Sequence, residues 1–385
     1  MISTKYTIRE HNEARILQEI ITQKQISRAD LASRIGLNKA SVSAITKQLL
    51  DDGLITEIGI GDASQSGGRK PILLTFEPHC GVVIAVDLGA NYAEGLLSYP
   101  DGEVIAVIER KRQPVTRDNA CDLILTIVHE LKHKLPPTRH GIVGLTVAIH
   151  GLVHERRIGF APYYDLTELP LAQELEEQLG YPVILQNEAN LAALGEYTFA
   201  SASDNLISIS VHSGVGAGVV VNGQLDTGAH GQIGEIGHTI LYPGGTPCPC
   251  GNHGCLEQYA SNTVIYREAA ALTGREITNS DQLVAALEAQ NEPLADLLKE
   301  KARLLAIGIN NLVMLQDPEL VVINSSVYRK LPWLVDEVRA SINSRFAHQV
   351  KIRNTRLADQ AVLVGGIAST ARQFLKVSDL QFENR

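Results

Sequence analysis

No run of 18 apolar residues occurs anywhere in the 385-residue chain, so no segment is expected to span a membrane. The N-terminal stretch MISTKYTIREHNEARIL carries charges with no apolar segment behind them, which argues against a secretory signal. Low-complexity tracts are missing. So is any repeat with a period of about 20–50 residues, and neither a solenoid nor a propeller is expected. Cysteine is scarce and odd in number, five in all, with three inside residues 248–255. That usage speaks against a disulfide framework and for a reducing compartment, hence the cytoplasm. Positive charge is also short: the formal net charge is -9. The deficit is uneven, because residues 1–76 hold ten Lys/Arg against eight Asp/Glu and the remainder 24 against 35. An acidic body repels nucleic acid, whereas a mildly basic head need not.

The length and an apolar content of 44% suffice for two or three cored domains. In the head, Ile16, Leu17, Ile20 and Ile21 recur at helical spacing and predict a helix over about 9–24. Ser27 can cap a second helix whose inner face is Leu31, Ala32 and Ile35, ending at Gly36. Asn38 then caps a third, with Val42, Ile45 and Leu49 inward and Gly53 as its stop. The outer face of that helix shows Ala40, Ser43, Ala44 and Lys47, with Lys39 and Ser41 at its edges. Short side chains let a helix approach a major groove, and lysines meet phosphates. Helices two and three, joined by a short turn, have the form of a helix-turn-helix. LITEIGIG and RKPILLTF flank the loop DASQSGG like a wing, with Arg69 and Lys70 at its base. A winged helix that binds only protein is the alternative. The weak surplus of charge suggests two heads acting together, as in a dimer.

From residue 80, apolar strands alternate with helices, which indicates an α/β body. A long helix is expected over 293–315. Polar residues collect where apolar strands stop: Asp87 with Asn91, His150 with Gly151, Asn187 with Glu188, Ser213 with Gly214. Ligands of α/β sheets lie beyond such strand ends. Asn187, Glu188, Glu235 and Glu257 can together satisfy several hydroxyls, as a sugar presents; singly, each reads as a solvated surface group.

The stretch GEIGHTILYPGGTPCPCGNHGCLE gathers His238, Cys248, Cys250 and Cys255 among prolines and glycines that suit a tight knuckle. Three thiolates and one imidazole make a closed tetrahedral Zn2+ site. The alternative is three free thiols in a reduced loop. A Cys248–Cys250 disulfide is disfavoured by so short a span. Such an ion would be structural, and His238 could hold it with one ring nitrogen while the other meets a hydroxyl.

The whole chain resembles the ROK family (repressors, open reading frames, kinases). The resemblance rests on GGRKP at 67–71, DLGAN at 87–91, LQNEAN at 185–190, SGVGAGVVVNGQLDTGAHGQIGEIGH at 213–238 and CPCGNHGCLE at 248–257. It implies an N-terminal winged helix-turn-helix over 1–76 and a two-lobed, actin-like (RNase-H-like) sugar-kinase fold. The first lobe would take residues 77–190 and 360–385, and the second, with the zinc knuckle, 191–359. It implies one structural Zn2+ on His238, Cys248, Cys250 and Cys255. Sugar contacts would come from Asn187, Glu188, Glu235, His238 and Glu257, with Gly151 lining the cleft.

Against the family's kinases, Glu188 stands where an aspartate serves as general base, a displacement of about 1 Å that costs roughly 100-fold in rate. Asn91 replaces a phosphate-loop threonine, His212-Ser213-Gly214 replaces Gly-Thr-Gly, and Asn324-Ser325-Ser326 would crowd a nucleotide. A non-enzymatic, sugar-responsive repressor that binds a double-stranded operator as a homodimer or dimer of dimers is therefore expected. The NEAN variant is similar to that of the family's xylose repressors, which favours xylose. The alternatives are an active ATP-dependent sugar kinase with a fused head, and a repressor tuned by a protein partner.

Overall fold

The computed structural model describes residues 5–60, 71–289 and 292–382. The head consists of α1 (Lys5–Gln23), β1 (Ile26–Ser27), α2 (Arg28–Ile35), α3 (Lys39–Asp51), β2 (Ile55–Ile60) and β3 (Ile72–Phe76). Helix α1 starts earlier than its apolar spacing indicates, because that spacing reports only the buried stripe. Ser27 caps α2 by accepting from the Asp30 N–H at 3.1 Å, and Asn38 caps α3 by accepting from the Ser41 N–H at 2.8 Å. Strands β2 and β3 pair antiparallel, and β1 joins the other edge of β3. The wing's strands thus stand where expected; Arg69 and Lys70 lie outside the described residues. Ile16, Leu17, Ile20, Leu31, Val42, Leu49, Ile55 and Leu74 bury one another as the head core.

The first lobe follows: β4 (Val82–Gly89), β5 (Tyr92–Ser98), β6 (Val104–Lys111), α4 (Ala120–Lys132), β7 (Ile142–Ile149), β8 (Leu152–His154), β9 (Arg157–Phe160), α5 (Leu171–Leu179), β10 (Val183–Asn187) and α6 (Glu188–Gly195). The second holds β11 (Leu206–Val211), β12 (Val215–Val221), β13 (Gln224–Asp226), α7 (Glu257–Ala260), α8 (Asn262–Thr273), α9 (Ser280–Glu288), α10 (Glu292–Gln316), β14 (Leu320–Asn324), α11 (Ser326–Lys330), α12 (Trp333–Ser341) and β15 (Lys351–Asn354), and α13 (Ala361–Leu375) closes the body. The sheets run β10–β7–β4–β5–β6 and β13–β12–β11–β14–β15. Both follow one plan: a three-stranded antiparallel meander, extended by two strands parallel to its first. This duplication escapes a search for short repeats, since the repeated unit is a whole lobe.

Two helices join the sheets. Helix α6 follows the last strand of the first sheet but packs on β11 and β12, while α13 lies on β4 and β7. They cross backbone to backbone: a Cβ at Gly365 would sit 1.8 Å from the Leu191 carbonyl oxygen. Beyond α6 a π-type turn, Glu196–Ala200, leads into the second lobe. Its fully buried Glu196 pairs with Arg353 at 3.1 Å and also accepts from the Thr355 hydroxyl and the Arg356 N–H. A buried carboxylate is tolerable when so surrounded by donors.

The head is fastened at two places. Arg139 donates to the Asp51 carbonyl and His140 to that of Asp52 at 2.8 Å, so the C-terminal end of α3 is held by the body. Cationic and N–H groups suit that end of a helix. Leu375, Val377 and Leu380 complete the head core, and Asp379 accepts from Gln18 of α1 at 2.8 Å and from the Tyr197 hydroxyl. Among the described residues no helix is long and apolar enough to cross a membrane.

The crossing yields a stability prediction. Gly365→Ala forces a methyl group onto a carbonyl, and overpacking of this kind costs about 1–3 kcal/mol. Urea titration should therefore show a lower midpoint with an unchanged slope; wild-type stability would contradict the tight crossing.

Candidate functional site

Strand β10 ends at Asn187, and α6 begins at once. Asn187 is the N-cap, its Oδ1 accepting from the Ala189 and Asn190 N–H groups at 2.9 and 3.1 Å. Its Nδ2 donates to the Gly151 carbonyl at 3.0 Å, which ties the β7 and β10 strand ends together. Glu188, first in the helix, points into an interlobe pocket and is buried, with Oε2 lacking any hydrogen-bond partner. A buried acceptor without a donor is uncommon in native structures and marks a place for a ligand hydroxyl or an ordered water.

Gly151, Asn187, Glu188, Glu235, His238 and Glu257 all line this one pocket. Residues distant in sequence meet because the β7 and β10 ends of one lobe face the β11–β12 turn and the knuckle of the other. Burial raises the Glu235 carboxyl, and His238 opposes that shift. Three wall residues carried no sequence signal for this place: Phe160 at the end of β9, and Pro162 and Tyr163 just after it; His212, from the segment compared with a kinase phosphate loop, lines the pocket too. The strand-end polar residues also include Asp87 and Asn91, and neither lines the pocket. Asp87 instead binds its neighbours, His150 Nε2 at 2.9 Å and the Tyr92 hydroxyl at 3.0 Å. Burial alone would lower His150; the Asp87 carboxylate and Glu188 outweigh it and raise it to about 9.

Next to the pocket the knuckle closes as a tight turn: the Cys248 N–H donates to the Asn252 carbonyl at 2.9 Å and the Gly251 N–H to that of Cys248 at 3.0 Å. The donor atoms of His238, Cys248, Cys250 and Cys255 lie within 4.8 Å of one another. Cys250 and Cys255 Sγ are 3.7 Å apart, and His238 Nδ1 is 3.5 Å from Cys248 Sγ. Zn–S bonds of 2.3 Å in a tetrahedron imply an S···S edge of about 3.8 Å, so the set fits a four-coordinate ion. His238 Nδ1 faces the thiols, and Nε2 faces Glu235 at 3.7 Å. Burial pushes the Cys248 thiol up. Cys250 is held below the ordinary thiol value, since the Asn252 N–H and the neighbouring thiols outweigh burial there.

On the head, Lys39, Ala40, Ser43 and Lys47 are exposed along α3, and Ser41 is half-buried at the cap. The outer face is small, polar and cationic, as its spacing indicated.

The chain belongs to the ROK family: the ROK family model matches residues 83–372. A MarR family model matches residues 10–57, over the helix-turn-helix. The chain is 30% identical over 353 residues to the xylose repressor of Bacillus subtilis (strain 168), covering 91% of each. A crystal structure of a ROK family transcriptional regulator, a homologue of the Escherichia coli MLC protein, superposes with a TM-score of 0.83 at 27% identity, covering 96% of both chains. The ROK family glucokinase from Streptomyces griseus, solved with glucose and AMPPNP, gives 0.68 at 28% identity, over 76% of this chain and all of that one. Both regulators and kinases of the family are thus similar to the body, and the match to the MLC homologue extends over the head.

Two measurements probe the site. Cys250→Ser removes one donor of the four, so after incubation with Zn2+ and dialysis the variant should retain much less metal than the wild type; elemental analysis with equal metal retention would refute the cluster. For His150, a value raised from 6.5 to about 9 means a stabilising contribution that is complete below pH 6.5 and lost as pH rises through 9. Unfolding free energy should fall across that window by on the order of 2 kcal/mol, and Asp87→Asn should flatten the slope.

Proposed function

We propose that this protein is a repressor of carbohydrate-utilisation genes whose grip on its operator is modulated by a sugar held between the lobes, with xylose the favoured ligand. The observation that carries the reading is the pocket. Asn187, Glu188, Glu235, His238 and Glu257 converge on it with acceptors enough for several hydroxyls, and one oxygen of Glu188 lacks a donor. The similarity to the B. subtilis xylose repressor, which runs through both head and body, supports the choice of sugar and of DNA. Zinc on His238, Cys248, Cys250 and Cys255 would hold His238 and Glu257 in register; it would be structural, since four protein ligands leave no open position. In this reading the lobes are residues 77–190 with 360–385, and 191–359.

The same reading makes the protein a binder and not a kinase. Where the family's kinases approach the nucleotide phosphates, Asp87 is already engaged by His150 and Tyr92. Near the expected adenosine segment, the fully buried Ser325 hydroxyl is bonded to Asn262 at 3.2 Å. Two heads of a homodimer, or of a dimer of dimers, would grip half-sites about one helical turn apart, with Lys39, Ala40, Ser41, Ser43 and Lys47 toward the groove and Arg69 and Lys70 at the wing. Sugar shifts operator binding only through its different affinity for the two lobe arrangements; a 100-fold difference is worth about 2.7 kcal/mol.

Gel-shift titration against the chain's own upstream DNA, with D-xylose and a panel of pentoses and hexoses, tests this. Operator affinity should change by 10-fold or more with one sugar. Lys47→Ala should weaken operator binding and leave sugar affinity unchanged. Indifference to every sugar, or ATP-dependent sugar phosphorylation faster than about one turnover per second, would overturn the reading; the rate is at the low end for enzymes.

A further inference from the structure

The sugar-facing wall contains one contact that its charge chemistry does not require. Tyr163, on the first-lobe segment after β9, donates its hydroxyl to Glu257 Oε2 across the cleft at 3.4 Å. Glu257 opens α7 of the second lobe. Its other oxygen faces the knuckle, with Cys248 Sγ and Gln258 Nε2 each 3.2 Å away. Oε2 is therefore the oxygen presented to the pocket. The meeting depends on residue 214 being glycine: a Cβ there would lie 2.6 Å from the Tyr163 hydroxyl and 2.7 Å from Glu257 Oε2. Phenol, carboxylate and bare backbone thus share one point of the pocket wall. Burial, with the Glu257 charge, pushes the phenol well above its ordinary range, which keeps it a neutral donor. Tyr163 is also 40% exposed, so its ring has a way out toward solvent.

A neutral O–H held against a carboxylate is the chemistry of a sugar hydroxyl. We propose that Tyr163 is a displaceable latch: its hydroxyl occupies the sugar's place on Glu257 and ties the two lobes together until a sugar hydroxyl replaces it. The inference rests on the sugar reading above and assigns to that pocket a residue that couples occupancy to lobe position. Ligand entry exchanges one donor for another on Oε2, so Glu257 is never left without one. What changes is the interlobe bond, present without sugar and absent with it. A ligand that lacks a donor for that position would leave the latch shut.

The test uses full-length protein, with isothermal titration of D-xylose and gel shifts on the operator. Tyr163→Phe removes the competing donor and keeps the ring. Xylose should bind about 3- to 10-fold tighter, the worth of one modest hydrogen bond, and the xylose concentration that releases half the operator should fall by the same factor. Zinc content should stay at the wild-type value, which a merely structural disturbance of the knuckle would not preserve. Tyr163→Leu, which lacks the ring as well, should shift affinity in the same direction. Unchanged or weaker xylose binding in both variants overturns the latch, weaker binding meaning that the phenol holds the bound sugar. A wild-type protein that binds neither xylose nor any other pentose or hexose overturns the sugar reading itself, and the latch with it.

Discussion

The contact of Gly365 with the Leu191 carbonyl oxygen is the constraint on which the rest of the body depends. It sets the distance between α6 and α13, and through them between two sheets that otherwise have independent cores. With no side chain between them, the helices cannot separate without losing close-packed contact. Asn187 caps α6 and Glu188 is its first residue, so the pocket begins where one helix of the crossing begins.

The knuckle has a different task. Glycine and proline turns have little apolar surface to bury, and a loop of that kind would wander without a clamp. Four ligands drawn from His238 to Cys255 fit a single tetrahedral ion, and the same short stretch positions His238, Glu235 and Glu257 at the pocket wall. One element thereby gives the second lobe's acids a fixed position against which the first lobe's Asn187 and Glu188 can be compared.

Much of this was legible in the sequence because it rests on local rules. Ser27 and Asn38 cap the helices they were expected to cap, the α3 face is small and cationic outward, and the thiols of the knuckle lie close in the chain. Convergence of Gly151, Asn187, Glu188, Glu235, His238 and Glu257 on one pocket came from the family resemblance; spacing alone could not bring strand ends of two lobes together. What stayed hidden depends on tertiary meetings with no local pattern. Tyr163 reads as an ordinary loop aromatic until Gly214 and Glu257 surround it. The Asp87–His150–Tyr92 group joins residues from three strand ends, and the lobe duplication is one of topology alone.

The head, too, is less separate than its composition suggests. Two body side chains, Arg139 and His140, finish the open carbonyl end of α3, and Leu375, Val377 and Leu380 fill the space beneath α1. A graft that carried residues 1–76 onto another scaffold would arrive with a frayed reading helix and a hollow floor. Portability in this architecture therefore belongs to a discontinuous piece: the first 76 residues together with the loop at 139–140 and the C-terminal turn at 377–382.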